Sequence, residues 1–191
     1  MDQILDSPLQ QPAERQVTYG NFWPRLGALF LDGLIVGLPT FAVTYFNVVS
    51  WKSSAILILI TVISTVYKPL MEYLYGATLG KMALNLRVVN LDFQKANLTE
   101  ILFRNIFNIG SNVFTIISML IIFNSVEFQA VTGYMEFNKI VASQSGSTII
   151  RGISAAIGLT EFICLITDKQ KRALHDRIGK TYVIVKSSEN M

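Results

Sequence analysis

Arg25, Asp32, Lys68, Glu72, Arg104 and Glu161 are ionisable residues standing inside, or at the mouth of, long apolar stretches. Charges in such surroundings cost at least about 2.5 kcal/mol each even on lenient insertion scales, so they turn toward a protein interior and toward one another. At ~100° per residue, Arg25, Ala28 and Asp32 fall within about 60° of one helical face, which therefore turns away from lipid. Arg25 and Asp32 would lie about 10 Å apart along that helix, too far for a relaxed direct pair, so each needs a partner from another segment. The chemistry open to the set is exchange of a proton for a cation at a desolvated carboxylate such as Asp32, Glu72 or Glu161. The alternative is a clasp of mutually neutralised charges that fixes the helices. In both cases the spacing predicts a charged ring between helices near one membrane face. Lys68 and Glu72 are placed four apart in the weaker, cation-first order, so they should find partners across helices.

Asn105, Asn108 and Asn112 are candidates for a polar lining. With Arg104, Ser111, Thr115 and Ser118 they align hydrogen-bonding groups along one helical face, either as a wet path or as interhelical glue. Gly27, Gly33 and Gly37 suit close approach of a neighbouring helix. Residues 33–47, 53–67, 105–123 and 152–160 hold no ionisable side chain other than Tyr45 and Tyr67, so no charged relay crosses the bilayer.

Two polar motifs lie outside the apolar stretches. The run Gly76-Ala-Thr78-Leu-Gly80-Lys81 has the look of a phosphate loop, but its spacer is one residue short, Met82 stands where Ser or Thr would touch magnesium, and no buried strand precedes it. Its glycines read as a sharp turn, with Lys81 capping carbonyls or meeting lipid phosphate. His175-Asp176 could orient an imidazole, yet the chain has no second histidine and a single cysteine, Cys164, so a transition-metal site is not expected. The pair reads as ordering the last loop against 76–81. No nucleophile, metal cage or cofactor loop is legible, so neither catalysis nor a cofactor is expected.

The elements that position these residues follow from composition. Hydrophobic residues make up 51% of the 191 and charged residues 15%, with a mean hydropathy of +0.45. That is a membrane composition. Segments 26–46, 55–75, 101–123 and 149–167 predict an all-α bundle of four transmembrane helices. Pro69 invites a kink in the second. Residues 1–20 read as a flexible cytoplasmic tail, 21–186 as one transmembrane domain and 187–191 as a short C-terminal tail.

If the spans alternate, Arg15, Arg25, Lys81, Arg87, Lys95, Arg104, Lys169, Lys171, Arg172, Arg177, Lys180 and Lys186 share one side, against Lys52, Lys139 and Arg151 on the other. Both termini are thus expected in the cytoplasm. On that side Leu86-Arg-Val-Val-Asn and Thr181-Tyr-Val-Ile-Val read as a small strand pair, and Asn97 with Glu100 as a capped helix start. The partners implied are the lipid bilayer, a cation or proton, and another membrane protein or a second copy. Nucleic acid is not among them.

The R-x-x-A-x-x-x-D pattern of Arg25 and Asp32, the run Gly76 to Lys81 with its following Leu-Arg-Val-Val strand, and the ending Leu174-His-Asp-Arg-Ile-Gly-Lys-Thr181 occur in order between matching hydrophobic segments. Together they resemble the RDD family of small bacterial membrane proteins, over roughly residues 20–186. One departure is the lack of glycine in the turn Leu91-Asp-Phe-Gln-Lys. The resemblance implies a multi-pass protein of the bacterial inner membrane, not an enzyme, with cation transport suggested for some relatives. Two functions stay open: a carrier handling a cation or proton through the charged cluster, and a non-catalytic scaffold or assembly partner for another membrane protein.

Overall fold

The computed structural model describes residues 17–186, without the side chains of residues 145–148, 150 and 151. Most of the two expected tails, and the side chain of Arg151, lie outside the described residues. The start of the domain shifts slightly: Thr18 and Gly20 hydrogen-bond to the backbone of Val185 and Val183, at 2.8 Å each, so they belong to the folded unit and not to a tail.

One 30-residue rod, Phe22–Trp51, opens the fold. It comprises α1 (Phe22–Asp32), a π-helical turn (Gly33–Gly37), α2 (Leu38–Phe46) and a second π turn (Asn47–Trp51). The rod outruns the expected 26–46 because no breaker intervenes before Lys52, which ends it in the left-handed region at φ 48°. Then come α3 (Ser54–Tyr75), α4 (Leu79–Ala83), β1 (Leu86–Asn90), α5 (Leu98–Arg104), α6 (Ile106–Phe123), α7 (Val126–Gln129), α8 (Tyr134–Ser143), α9 (Ser145–Thr167), α10 (Leu174–Ile178) and β2 (Thr181–Val185). Among the described residues, three helices are long and apolar enough to cross a membrane: Phe22–Trp51, Ser54–Tyr75 and Ile106–Phe123. The apolar part of α9, Gly152–Thr167, is shorter. Large apolar side chains such as Leu59 and Ile121 face outward along these rods, as a lipid-facing surface requires.

The third segment is not the continuous helix expected from 101. It breaks at Asn105 (φ −98°, ψ 9°), so that α5 is a separate short helix and Arg104 sits outside the span. The Asn97–Glu100 capping box starts α5 by satisfying backbone N–H groups in both directions. Pro69 lies within an unbroken α3.

β1 and β2 pair antiparallel, Leu86 opposite Val185 and Asn90 opposite Thr181. The turn after β1 has no glycine. Asn90 instead accepts from the backbone N–H groups of Asp92 and Gln94, while Phe93 takes φ 58° and stacks on Tyr182 with centroids 5.4 Å apart. Residues 124–144 fold into α7 and α8 and cover the far end of the bundle.

Buried apolar residues gather at two ends. Val48, Leu57, Ile122, Phe123, Phe128, Val131 and Phe137 form a cluster under α7 and α8. Ala28, Leu86, Val88, Ala96, Ile101 and Val183 form another against the strand pair. Between these clusters few apolar side chains are buried, and the Thr40 and Ser64 hydroxyls of α2 and α3 meet there at 3.3 Å.

Candidate functional site

At the end carrying the strand pair, buried charges form a chain that runs from element to element. Lys81 on α4 pairs with Glu72 on α3. Glu72 also meets Arg104 of α5, Nε to Oε2 at 3.2 Å, an ion pair without hydrogen-bond alignment, and accepts from Asn105 at 3.1 Å. Arg104 pairs with Asp176 of α10 and donates to the Thr181 hydroxyl at 2.8 Å. Asp176 then meets Arg25 of α1 at 2.5 Å. Arg25 spends its remaining donors on the carbonyls of Gly20 (2.9 Å) and Lys171 (2.6 Å). A side branch continues through His175, whose Nε2 lies 3.4 Å from Asp176 and whose Nδ1 lies 2.7 Å from Glu161 on α9. Glu72, Arg104 and Asp176 are all at most 2% exposed, a setting in which a charge survives only with partners on every side.

Electrostatics follow from this burial. Desolvation alone would raise the Asp176 carboxyl, but Arg104, His175 and Arg25 together hold it well below the usual carboxylate range. Arg104 is desolvated too, and Asp176 and Glu72 more than compensate, pushing its pKa up. Burial pushes Lys81 down to about 8 against the pull of Glu72. It also lowers His175, which Asp176 pulls the other way.

The expected ring of mutually paired charges thus takes another form. Asp32 meets no cation among the described residues. Its carboxylate accepts from the Thr78 hydroxyl (2.6 Å), the Gly80 backbone N–H (2.8 Å) and the Tyr67 hydroxyl (3.0 Å). This joins α1 to α3 and α4. The contact depends on Gly80: a Cβ there would fall 2.1 Å from the Ala28 carbonyl oxygen, so only glycine lets α4 cross α1 closely enough to present its N–H. Gly76 supplies the sharp exit from α3 at φ 75°. Lys81, expected on carbonyls or lipid phosphate, goes to Glu72 instead. His175 and Asp176 pack against Arg104, Arg25 and Glu161 and not against 76–81 as expected.

The polar seam is also rearranged. Asn105 is buried beside Glu72, but Arg104 leaves the seam at the helix break. Ser111 and Thr115 bond carbonyls of their own helix, and Asn112 donates to Asn108 at 2.8 Å. Gly27 does sit close to a neighbour, its added Cβ falling 2.9 Å from Leu84, but Gly33 and Gly37 face open space.

That space is a cleft of about 580 Å³ between α1, α3, α6 and α9. Its polar end carries Arg25, Asp32, Tyr67, Lys68, Lys81, Arg104, Asn108, Glu161 and His175, and its walls are Leu26, Leu29, Val36, Phe162 and Leu165. A smaller, mostly apolar cleft of about 420 Å³ separates α6 from α9. Both exist because the bundle lacks a buried core at mid-depth.

The model of the RDD family matches residues 19–180. The chain belongs to the RDD family. No curated protein and no solved structure gives a match. The residues that carried the resemblance are those the fold ties together: Arg25 and Asp176 are direct partners, and Asp32 holds the glycine run. Within this RDD chain, sequence reasoning missed Thr181 and Tyr67 as polar partners and undervalued Asp176. The one available signal was an acid placed between Leu174 and Ile178 in a short apolar turn, which implies a buried counter-charge.

Proposed function

We propose that this RDD protein is a membrane carrier that handles a proton or cation, with the cleft as its chamber. The reading places α9 as a fourth span, the strand-pair end and both chain ends in the cytoplasm, and the whole in a bacterial inner membrane. Support for the orientation is the excess of basic residues toward that end, Arg87, Lys95, Lys169, Lys171, Lys180 and others, against Lys52, Lys139 and Arg151 on the other side.

One observation carries the carrier reading. Of the acids gathered here, Glu72 and Asp176 are sealed by guanidinium and ammonium groups, and Asp32 is filled by neutral donors. Glu161 lines the cleft with an imidazole as its partner, the two side chains 33% and 18% exposed. Its partner is a titratable imidazole and not a fixed guanidinium or ammonium, so Glu161 is the carboxylate whose occupancy can change. Glu72 moves from the exchanging set to the structural one.

The test is flux in vesicles containing the purified protein, an internal pH dye and a panel of cations. Glu161→Gln is expected to reduce flux at least ten-fold while leaving the protein folded, whereas Glu72→Gln should lower the melting temperature first. Wild-type flux equal to that of empty vesicles, or full flux through Glu161→Gln, would sink the carrier reading. A scaffold role draws its support from the basic cap around Lys169, Arg177 and Lys180, which suits an acidic partner, and predicts stable co-purification of another membrane protein. No catalytic step is part of either reading.

A further inference from the structure

Lys68 lines the cleft from α3, seven residues before the helix ends at Tyr75, about 10 Å inside the span at 1.5 Å per residue. A cation at such a depth is retained only with a partner. Among the described residues no carboxylate lies within ion-pair distance of it: Lys68 acts on Glu72 and Glu161 only at longer range, while Glu72 contacts Lys81 and Arg104, Glu161 contacts His175, and Asp32 contacts Tyr67, Thr78 and Gly80. The other cations at this end are spent, Lys81 on Glu72, Arg104 on Glu72 and Asp176, and Arg25 on Asp176, so Lys68 is the cation of the cleft with no hydrogen bond or ion pair among the described residues. Away from Lys68 the lining changes character. Leu29, Val36 and Phe162 make it apolar, and the bare backbone of Gly33 and Gly37, with nothing within 4 Å of an added Cβ, keeps it wide.

We propose that the cleft binds an anionic amphiphile, the phosphodiester head of an acidic phospholipid on Lys68 and one acyl chain along Leu29, Val36 and Phe162. Charge complementarity decides the head, since an ammonium with three free donors matches phosphate oxygens. The glycine-widened apolar wall decides the tail. A zwitterionic lipid carries its own ammonium beside the phosphate, which competes with Lys68 for the same oxygens, and is disfavoured. The proposal goes beyond the carrier reading and stands without it, because a bound lipid need not move.

The full chain in mild non-ionic detergent is titrated separately with phosphatidylglycerol, phosphatidylcholine and inorganic phosphate, and bound ligand is read by native mass spectrometry. One phosphatidylglycerol per chain is expected, retained at least ten-fold more strongly than phosphatidylcholine, with inorganic phosphate not retained. Lys68→Gln should weaken phosphatidylglycerol at least ten-fold and Lys68→Arg should restore it. Val36→Trp, which keeps the cation and fills the wall, should also displace the lipid, and it decides the matter if Lys68→Gln fails to fold. Equal retention of the two lipids, undiminished binding by both Lys68→Gln and Val36→Trp, or phosphate binding as tightly as phosphatidylglycerol would overturn the proposal. None of these arms measures flux, so this inference and the carrier reading can fail independently.

Discussion

Replacing Asp176 by asparagine leaves Arg104 and Arg25 facing each other across a neutral amide, with Arg104 almost fully buried. Breaking a buried pair by removing one partner typically costs about 3–5 kcal/mol, so Asp176→Asn should lower stability by that order at pH 7, measured by thermal or denaturant unfolding in detergent. The pH dependence has a definite sign. The folded carboxyl lies below the ordinary aspartate value of 3.8, so the unfolded chain takes up its proton first. The stability Asp176 provides is therefore present above about pH 4 and is lost as pH falls toward the folded value. His175 acts in the same direction at higher pH. Burial depresses it from 6.5, so its contribution is full above about pH 6.5 and declines below. The Asp176→Asn protein should lose the low-pH portion of this dependence, and a curve parallel to wild type below pH 4 would contradict the assignment. That Arg25 and Asp32 each need partners elsewhere was legible from their spacing. Which partners they take was not, because 151 residues separate Arg25 from Asp176.

At the scale of elements, short helices do the connecting. α4 and α10 are five residues each, too short to persist alone, yet each carries a charge into the network and so ties separate spans together. Their close approach rests on glycines: Gly80 against Ala28, and Gly179, whose added Cβ would fall 2.6 Å from the Arg104 Cβ. Gly80→Ala should push α4 off α1, break the Gly80 N–H contact to Asp32 and cost about 1–3 kcal/mol or more. Gly37→Ala, with nothing within 4 Å, should leave the melting temperature unchanged or raised. Equal melting temperatures for Gly80→Ala and wild type would remove the packing argument. Apolarity and length located the long helices, but not the break at Asn105, since Arg104 and Asn105 interrupt the apolar run 101–123 too briefly to end it by composition. Apolarity reports affinity for lipid and says nothing about where a chain bends to bring Arg104 beneath the bundle.

For the whole molecule, the two buried clusters and the open middle describe a bundle tied at its ends. Four alternating spans require Lys95 and Lys180, both exposed, on one side of the membrane and Glu127 on the other. In a Cys164→Ala background, cysteines at positions 95 and 180 should react with an impermeant thiol reagent only from the cytoplasmic side, and one at 127 only from outside. Labelling of 95 and 180 from opposite sides would refute the topology. Hydropathy, the order of the polar motifs and the two strand patterns by themselves determined that this is an RDD membrane protein with a small strand pair, because lipid solvation and β-propensity act on each segment locally. Only the tertiary structure decided that Asp176 joins Arg25 to Arg104, that Asp32 is held by hydroxyls and a backbone N–H, and that Lys68 faces an open cleft. Those outcomes depend on distances between segments far apart in the chain, and a pairing energy that falls off within a few ångströms leaves no trace in the spacing of residues along it.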